Sequence, residues 1–242
     1  MTEPIIAGVD GCRGGWCAAL AQLRGDVLID PRCMLVSEFR SILDLVGDDG
    51  IVCVDIPIGL LEQARPLGRD VDQQARRELS PLRSSSVFSA PIRAVLGIDS
   101  YEEALRVSRE SSVHRLGLSK QAHNICPKIA EVDSAMTPAL QERIVEVHPE
   151  LCFKQMAGAT MAAAKREPAG RAARIEALGA AGLAFVTTAC ESLKSKSAVA
   201  DDDIIDAHAA LWTARRFALG TARQILRTPP IDAKGLRMEM WA

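Results

Sequence analysis

The most constraining feature of the sequence is the run Ile51-Val52-Cys53-Val54, which is apolar at every position and ends at Asp55. A strand with one face in water alternates apolar and polar residues. This run does not alternate, so it predicts a strand that is buried on both faces. Because such strands need helices on both sides of their sheet, the run favours an α/β fold.

The segments before this run predict three further strands and a helix. The apolar run Ile5–Val9 closes at a glycine turn, and Trp16–Leu23 follows it, which predicts a β-hairpin. Val27–Val36 predicts a third strand, and residues 38–46 have helical spacing with Ser37 as the N-cap. The beginning of the chain therefore has the predicted order βββαβ.

The rest of the chain predicts an insertion followed by further helices. Residues 59–142 are irregular, with Arg/Asp-rich helical stretches, a serine-rich loop at 84–86 and a helix at Tyr101–Glu110, so we expect a helical and loop insertion there. A short strand at Ile144–Val147 precedes an alanine-rich helical region, and Asp202–Leu219 has the spacing of a long amphipathic helix. The chain of 242 residues is thus predicted to be a single domain, 1–242, with an insertion at about 59–142.

Composition limits the classes of function. The 29 basic and 31 acidic residues give a formal net charge of -2, which weakens a nucleic-acid interpretation without excluding it. The seven cysteines are scattered and lack zinc-site spacing, so we expect reduced thiols in a cytoplasmic protein. The N-terminal sequence matches neither a signal peptide nor a membrane span, so we expect no membrane association.

Four aspartates are placed to hold a divalent cation. Asp10 and Asp55 each end a predicted buried strand, and their carboxylates meet if the two strands are neighbours. Asp203 and Asp206 lie three residues apart, so they project from one face of the predicted final helix. Oxygen ligands without a matching His or Cys favour magnesium or manganese over zinc. Metal-assisted hydrolysis is the chemistry that fits such a site.

These acids also have structural interpretations. Asp10 and Asp55 lie in turn-forming sequences, where a carboxylate caps backbone amides, and acids at 201–203 stabilise a helix start. Capping explains Asp206 less well, because an acid one turn inside the helix beside apolar residues needs a partner or a metal. Glu146 is a further candidate site residue. His148 is a candidate proton shuttle, although a histidine after a strand is more often structural.

Six ordered segments of the chain form a recognisable set: GVDGCRGGW at 8–16, VDIPIGL at 54–60, SSVFSAP at 85–91, KIAEVD at 128–133, VEVHPE at 145–150 and DDIIDAHAALWTA at 202–214. Together they resemble a domain-of-unknown-function family, DUF429, which is described as predicted RNase H-like nucleases. The resemblance covers nearly the whole chain. It implies a ribonuclease H-like fold, whose central sheet of three antiparallel strands and further parallel strands agrees with the predicted βββαβ order.

The resemblance also implies the site layout of RuvC-like resolvases. In that layout Asp10 is the acid of the first strand, Asp55 the acid of the fourth strand, and Asp203 or Asp206 the acid of the final helix. The family's Arg-x-Cys-Asp pattern is Arg69-Asp70-Val71-Asp72 in this chain, so the cysteine is missing.

The expected function is therefore a magnesium- or manganese-dependent nuclease that hydrolyses phosphodiester bonds in nucleic acid. Asp10, Asp55 and Asp206 are its first candidate metal ligands and catalytic residues, and Asp203 and Glu146 are the second candidates. The candidate phosphate-binding residues are all arginines, which otherwise form solvated ion pairs: Arg13, Arg69, Arg76 and Arg83.

Two alternatives belong to other classes of protein. Gly8-Val9-Asp10-Gly11, followed by further glycines, also resembles the phosphate-binding hairpin of actin-like and sugar-kinase-type phosphotransferases that bind ATP. Such proteins need two copies of the fold, and 242 residues are short for that. The second alternative is a non-catalytic RNase H-like binding protein that keeps the metal site for stability.

Overall fold

The protein is a mixed α/β protein with a five-stranded sheet, in a computed structural model that describes residues 3–193 and 197–242. The strands are β1 (Ile5–Cys12), β2 (Gly15–Arg24), β3 (Val27–Val36), β4 (Ile51–Val54) and β5 (Ile144–Glu146). Their order across the sheet is β3-β2-β1-β4-β5. Strand β2 is antiparallel to both β1 and β3, whereas β4 pairs in parallel with β1 and β5 pairs in parallel with β4.

Eight α-helices occur in the described ranges. They are α1 (Phe39–Val46), α2 (Asp70–Leu79), α3 (Tyr101–Glu110), α4 (Lys120–Ala135), α5 (Pro149–Ala157), α6 (Pro168–Ala180), α7 (Val186–Leu193) and α8 (Asp201–Ala218). The predicted order βββαβ is confirmed. None of the described helices is both long and apolar enough to cross a membrane.

The predicted N-cap of α1 is wrong. The residue before the first helical position is Glu38, and its side chain makes no capping hydrogen bond. Strand β3 remains paired as far as Val36, opposite Trp16, so the chain needs one residue more than predicted to turn from strand to helix. Ser37 lies within that connection and does not cap the helix.

The described chain divides into two compact units. The first contains the sheet and runs from the N-terminal strand to Asp55, with Arg143–Gln224 and Trp241–Ala242. The second comprises Ile56–Glu142 and Ile225–Met240. The predicted insertion at about 59–142 falls within the second unit, which also takes in a C-terminal segment.

In the first unit, helices cover both faces of the sheet. Cys53 belongs to a hydrophobic core with residues of α8, while Trp16 on the other face packs against Phe39 of α1 with ring centroids 5.3 Å apart. Val52, Cys53 and Val54 are fully buried, as their continuous apolar sequence predicts. Asp55, which follows β4, and Asp10, which lies near the end of β1, are therefore positioned by buried strands.

Candidate carboxylate site

Asp10 and Asp55 lie side by side on neighbouring parallel strands. Val9 pairs with Val54, and the backbone N–H of Asp55 donates to the carbonyl of Val9 at 2.9 Å, so the ladder continues to the two acids. Side chains alternate along a strand, so both acids share the face of Gly8, where β1 touches α8. The predicted strand-end pair therefore lies on one face, beneath α8.

Helix α8 contributes the third acid of this group. Asp206 is 3% exposed, and its charge acts on both Asp10 and Asp55. Asp203 has a different position, because its Oδ2 atom accepts a hydrogen bond from the backbone N–H of Ala200 at 2.9 Å and so caps the helix. The structure thus groups Asp206 with the two strand acids and places Asp203 at the helix start, where its charge still reaches Asp10.

Burial and mutual repulsion make these carboxylates hard to ionise. Burial, and then the charges of Asp55 and Asp206, raise the pKa of Asp10 well above its usual value. Burial and the charge of Asp206 raise the pKa of Asp55 to about 7. Burial also raises the pKa of Asp206, although a nearby ammonium opposes that change. Like charges in a site of low dielectric favour the neutral forms, so a cation placed here would relieve the repulsion.

The ammonium belongs to Lys165, in the connection between α5 and α6. Its Nζ atom lies 2.6 Å from Oδ2 of Asp206 and 3.7 Å from Oδ2 of Asp202. Burial lowers the pKa of Lys165, but attraction to Asp206, Asp10 and Asp55 outweighs burial and raises this pKa above its usual value. Lys165 is therefore protonated and partly neutralises the carboxylates.

Glu150, at the start of α5, is a further buried acid beside this group. Its Oε1 atom accepts a hydrogen bond from Nη2 of Arg174 at 2.6 Å. Its Oε2 atom is buried and has no hydrogen-bond partner in the part of the chain that the structure describes. The charge of Glu150 contributes to the raised pKa values of Asp55 and Asp206. Glu150 therefore offers an unused oxygen acceptor near the three aspartates.

The donor atoms fit a hard divalent cation better than they fit zinc. They are carboxylate oxygens, including the orphaned Oε2 atom of Glu150. Across residues 3–193 and 197–242, however, no group of three or more His, Cys, Asp and Glu side chains is arranged to hold a metal ion. A metal would have to draw the carboxylates together, and Lys165 is already bonded to Asp206.

The other predicted residues of this site are Glu146 and His148. Glu146 pairs with Val54 across β5 and β4, so strand alternation turns its side chain to the face opposite Asp55. His148 is the N-cap residue of α5, and its carbonyl accepts hydrogen bonds from the N–H groups that follow. The strand pairing that places Asp10 beside Asp55 does not place either of these side chains there.

Three of the four predicted phosphate-binding arginines belong to the second unit. Arg69 is 1% exposed; its Nη2 atom lies 2.7 Å from Oδ1 of Asp72, and its Nη1 atom donates to the carbonyls of Ile58 and Gly59. The guanidinium of Arg76 donates to the carbonyls of Leu67 and Val87 and to the hydroxyl of Ser89. Arg83 is half-buried before a short 3₁₀ turn, and Arg13 is exposed in the first-unit turn between β1 and β2.

A cavity of about 300 Å³ lies beside Asp206 in the first unit. Four basic and three acidic residues, with one isoleucine, line it: Lys165, Arg166, Arg171, Arg174, Asp201, Asp202, Asp206 and Ile205. Arg166 is exposed and has no ion-pair or hydrogen-bond partner among the described residues. The buried Nε atoms of Arg171 and Arg174 also lack an acceptor there. Arg166 is therefore the cation that the cavity presents without a counter-charge among the described residues.

No sequence pattern indicates the four basic residues of the cavity, which are Lys165, Arg166, Arg171 and Arg174. They lie in a region of the sequence whose only pattern is its richness in alanine, and that pattern predicts helix without indicating a partner. Glu150 is the exception, because it ends the segment VEVHPE that carries the family resemblance.

A family model described as "Protein of unknown function (DUF429)" matches residues 8–231. No curated protein matches the chain, and no solved structure matches it.

Proposed function

The chain belongs to the DUF429 family of proteins of unknown function, and from its carboxylate site we propose that it is a divalent-metal-dependent phosphodiesterase that acts on nucleic acid. The observation that carries the proposal is the grouping of Asp10, Asp55 and Asp206 from two adjacent strands and α8. The sheet order supports a ribonuclease H-like fold, because three antiparallel strands followed by two parallel ones are what the family resemblance implies.

In this proposal one set of side chains binds a cation and another set binds the substrate. Asp10, Asp55 and Asp206 would bind magnesium or manganese, and Glu150 would add its unused oxygen. The bound ion would supply Lewis acidity and a water molecule of lowered pKa. Asp206 is buried and Asp10 and Asp55 are half-buried, so their charges act through surroundings of lower dielectric constant than bulk water.

The cavity beside Asp206 is the proposed binding place for a substrate phosphate. Arg166 can bind a phosphate without first breaking an internal ion pair, and guanidinium groups pair well with phosphate oxygens. Arg69 is a weaker candidate, because Asp72 and backbone carbonyls already occupy its donors. Lys165, Arg171 and Arg174 are already ion-paired, with Asp206, Asp201 and Glu150 respectively, so Arg166 is the cavity cation that remains for a phosphate.

A non-catalytic binding protein is the second candidate function. The observation that favours it is the bond between Lys165 and Asp206, which neutralises a carboxylate without any metal. The ATP-dependent phosphotransferase has less support, because that class needs two copies of the fold and the described residues form one five-stranded sheet.

Metal-dependent cleavage of a substrate panel tests the proposal. Single-stranded, double-stranded and branched DNA, RNA and RNA–DNA hybrids would be incubated with the protein in magnesium, manganese or EDTA. We expect cleavage that requires metal, and a loss of roughly 100-fold or more in Asp10→Asn. Asp48→Asn, which changes an exposed turn acid of the first unit, is the matched control and should retain activity. Metal binding without cleavage of any substrate would favour the binding protein, and a thermal shift with ATP would favour the phosphotransferase.

A further inference from the structure

Among the described residues that line the cavity, Lys165 is the one lysine, and its ammonium group lies beside the carboxylates of Asp202 and Asp206. The Nζ atom is 2.6 Å from Oδ2 of Asp206. Its charge also acts on Asp10, Asp55 and Asp203. An ammonium group at this position offsets the negative charge of the carboxylates, as a bound metal cation would.

We propose that the Lys165 ammonium occupies the cation position of the site, and that a divalent ion enters by displacing it into the adjoining cavity. There the released ammonium becomes a phosphate-binding group. The inference rests on the proposed function for the identity of the incoming metal and of the phosphate, but the displacement itself can be measured without catalysis.

Charge provides the reason for the exchange. Asp10, Asp55 and Asp206 together carry up to three negative charges, and one ammonium offsets only one of them. A divalent ion offsets two, and it would be repelled by an ammonium held a few ångströms away in a site of low dielectric. The two cations therefore compete for Asp206, whose Oδ2 atom Lys165 already uses.

The position of Lys165 allows it to move. The residue lies outside the helices, in the connection between α5 and α6, and 40% of its side chain is exposed. Its four-carbon stem is flexible, unlike a planar guanidinium. Because Lys165 and Arg166 both line the cavity, an ammonium released from Asp206 joins a neighbouring cation that has no ion pair among the described residues. Metal binding would thus precede and strengthen phosphate binding.

Manganese binding by two matched variants tests the exchange. Lys165→Met keeps the length of the side chain and removes its charge, and Lys154→Met makes the same change in α5, outside the cavity lining. Isothermal titration with Mn²⁺ alone should give Lys165→Met at least a tenfold lower Kd than the unmodified protein, or about 1.4 kcal/mol. Lys154→Met should remain within about twofold of the unmodified protein.

A labelling measurement on the unmodified protein covers the case in which Lys165→Met does not fold. Acetylation by a lysine-selective reagent, followed by mass spectrometry, should modify Lys165 faster when Mg²⁺ is added. Exposed Lys120 serves as the internal reference, and its rate should not change.

The outcomes separate this inference from the proposed function. Tighter Mn²⁺ binding by Lys165→Met, or faster labelling of Lys165 with Mg²⁺, supports the exchange. If the unmodified protein binds Mn²⁺ and Lys165→Met binds it equally or more weakly, the exchange is overturned while a metal-dependent function stands. If Mn²⁺ binds to none of the three proteins, both the exchange and the metal-dependent function are overturned.

Discussion

A Cβ atom on Gly8 would lie 1.9 Å from the backbone nitrogen of Leu211, so β1 and α8 meet here through their backbones. Gly8 precedes Asp10 by two residues on the same face of β1, and Leu211 follows Asp206 by little more than one helical turn. The missing side chain at Gly8 therefore allows the close approach that brings Asp206 toward Asp10.

Replacing Gly8 should damage both the fold and the site. Gly8→Ala places a methyl group inside the backbone of α8, so we expect the free energy of unfolding to fall by about 3 kcal/mol. Gly179→Ala is the control, because nothing lies within 4 Å of a Cβ atom there. In a helix, that change should be neutral or stabilising by up to about 1 kcal/mol. Urea denaturation measures both, and equal stability of Gly8→Ala and the unmodified protein would contradict the close approach.

The strands and the pair of strand-end acids could be predicted because their signals are local. The apolar run from Ile51 identifies β4 without reference to any other residue. Because β1 and β4 are neighbouring parallel strands in a register that pairs Val9 with Val54, Asp10 and Asp55 share a row of the sheet. The hydrophobic pattern predicts the two strands, whereas the structure supplies the register that aligns the two acids.

The partners of these acids could not be predicted, because they depend on contacts that no local pattern encodes. Lys165 precedes Asp206 by 41 residues, and Arg174 follows Glu150 by 24. The direction of Glu146 depends on the register of β5, where a shift of one residue would reverse its face. Helix α4 was also missed as a helix, since Pro127 lies inside it and proline normally indicates a helix boundary.

The raised pKa of Asp55 predicts how stability depends on pH without metal. This pKa is about 7 in the folded protein, against the ordinary 3.8, so the folded state binds more protons between these values. Stability should therefore fall as the pH rises from about 4 to about 7. Asp55→Asn removes this titration and should be more stable above pH 7 by about 2 kcal/mol. Urea unfolding in EDTA at several pH values measures the effect, with Asp48→Asn as the control. Parallel pH curves for Asp55→Asn and the unmodified protein would refute the prediction.

His208 should produce the opposite dependence at acid pH. Burial lowers its pKa to about 4, although the hydrogen bond between Nδ1 and the carbonyl of Ile204 opposes the change. The unfolded state then binds more protons between about pH 4 and 6.5, so this contribution is complete above 6.5 and is lost as the pH falls. His208→Gln can still donate to Ile204 but does not titrate. The free energy of unfolding of His208→Gln should therefore fall less steeply with falling pH than that of the unmodified protein. The difference in slope should be at most that produced by the binding of one proton on unfolding. An unchanged slope would show that His208 does not titrate in this range.

The ion pair between Arg69 and Asp72 should be structural. The two side chains are 1% and 2% exposed, so removing the carboxylate charge leaves a buried guanidinium without its counter-charge. We expect Asp72→Asn to lower the free energy of unfolding by about 3 kcal/mol. Glu103→Gln, in the exposed pair with Arg106, is the control and should leave the free energy of unfolding nearly unchanged. Chemical denaturation compares the variants, and similar small effects in both would contradict a structural role for the ion pair.

The last prediction distinguishes the cavity beside Asp206 from the predicted hairpin site as the place where phosphate binds. Arg166 lines the cavity, whereas Arg13 is exposed in the turn between β1 and β2. Each phosphate contact adds roughly one released counterion, so losing one contact lowers the slope of log affinity against log salt by about 1.

The measurement uses a phosphorothioate oligonucleotide, which resists hydrolysis, in magnesium over a range of salt concentrations. Arg166→Ala should weaken binding equally for different base sequences and reduce the salt slope, because a phosphate contact carries no sequence information. Arg13→Ala removes the same charge from the same unit and should leave the slope unchanged. If the slope falls in Arg13→Ala and not in Arg166→Ala, the nucleic-acid backbone lies along the hairpin and the cavity has another ligand.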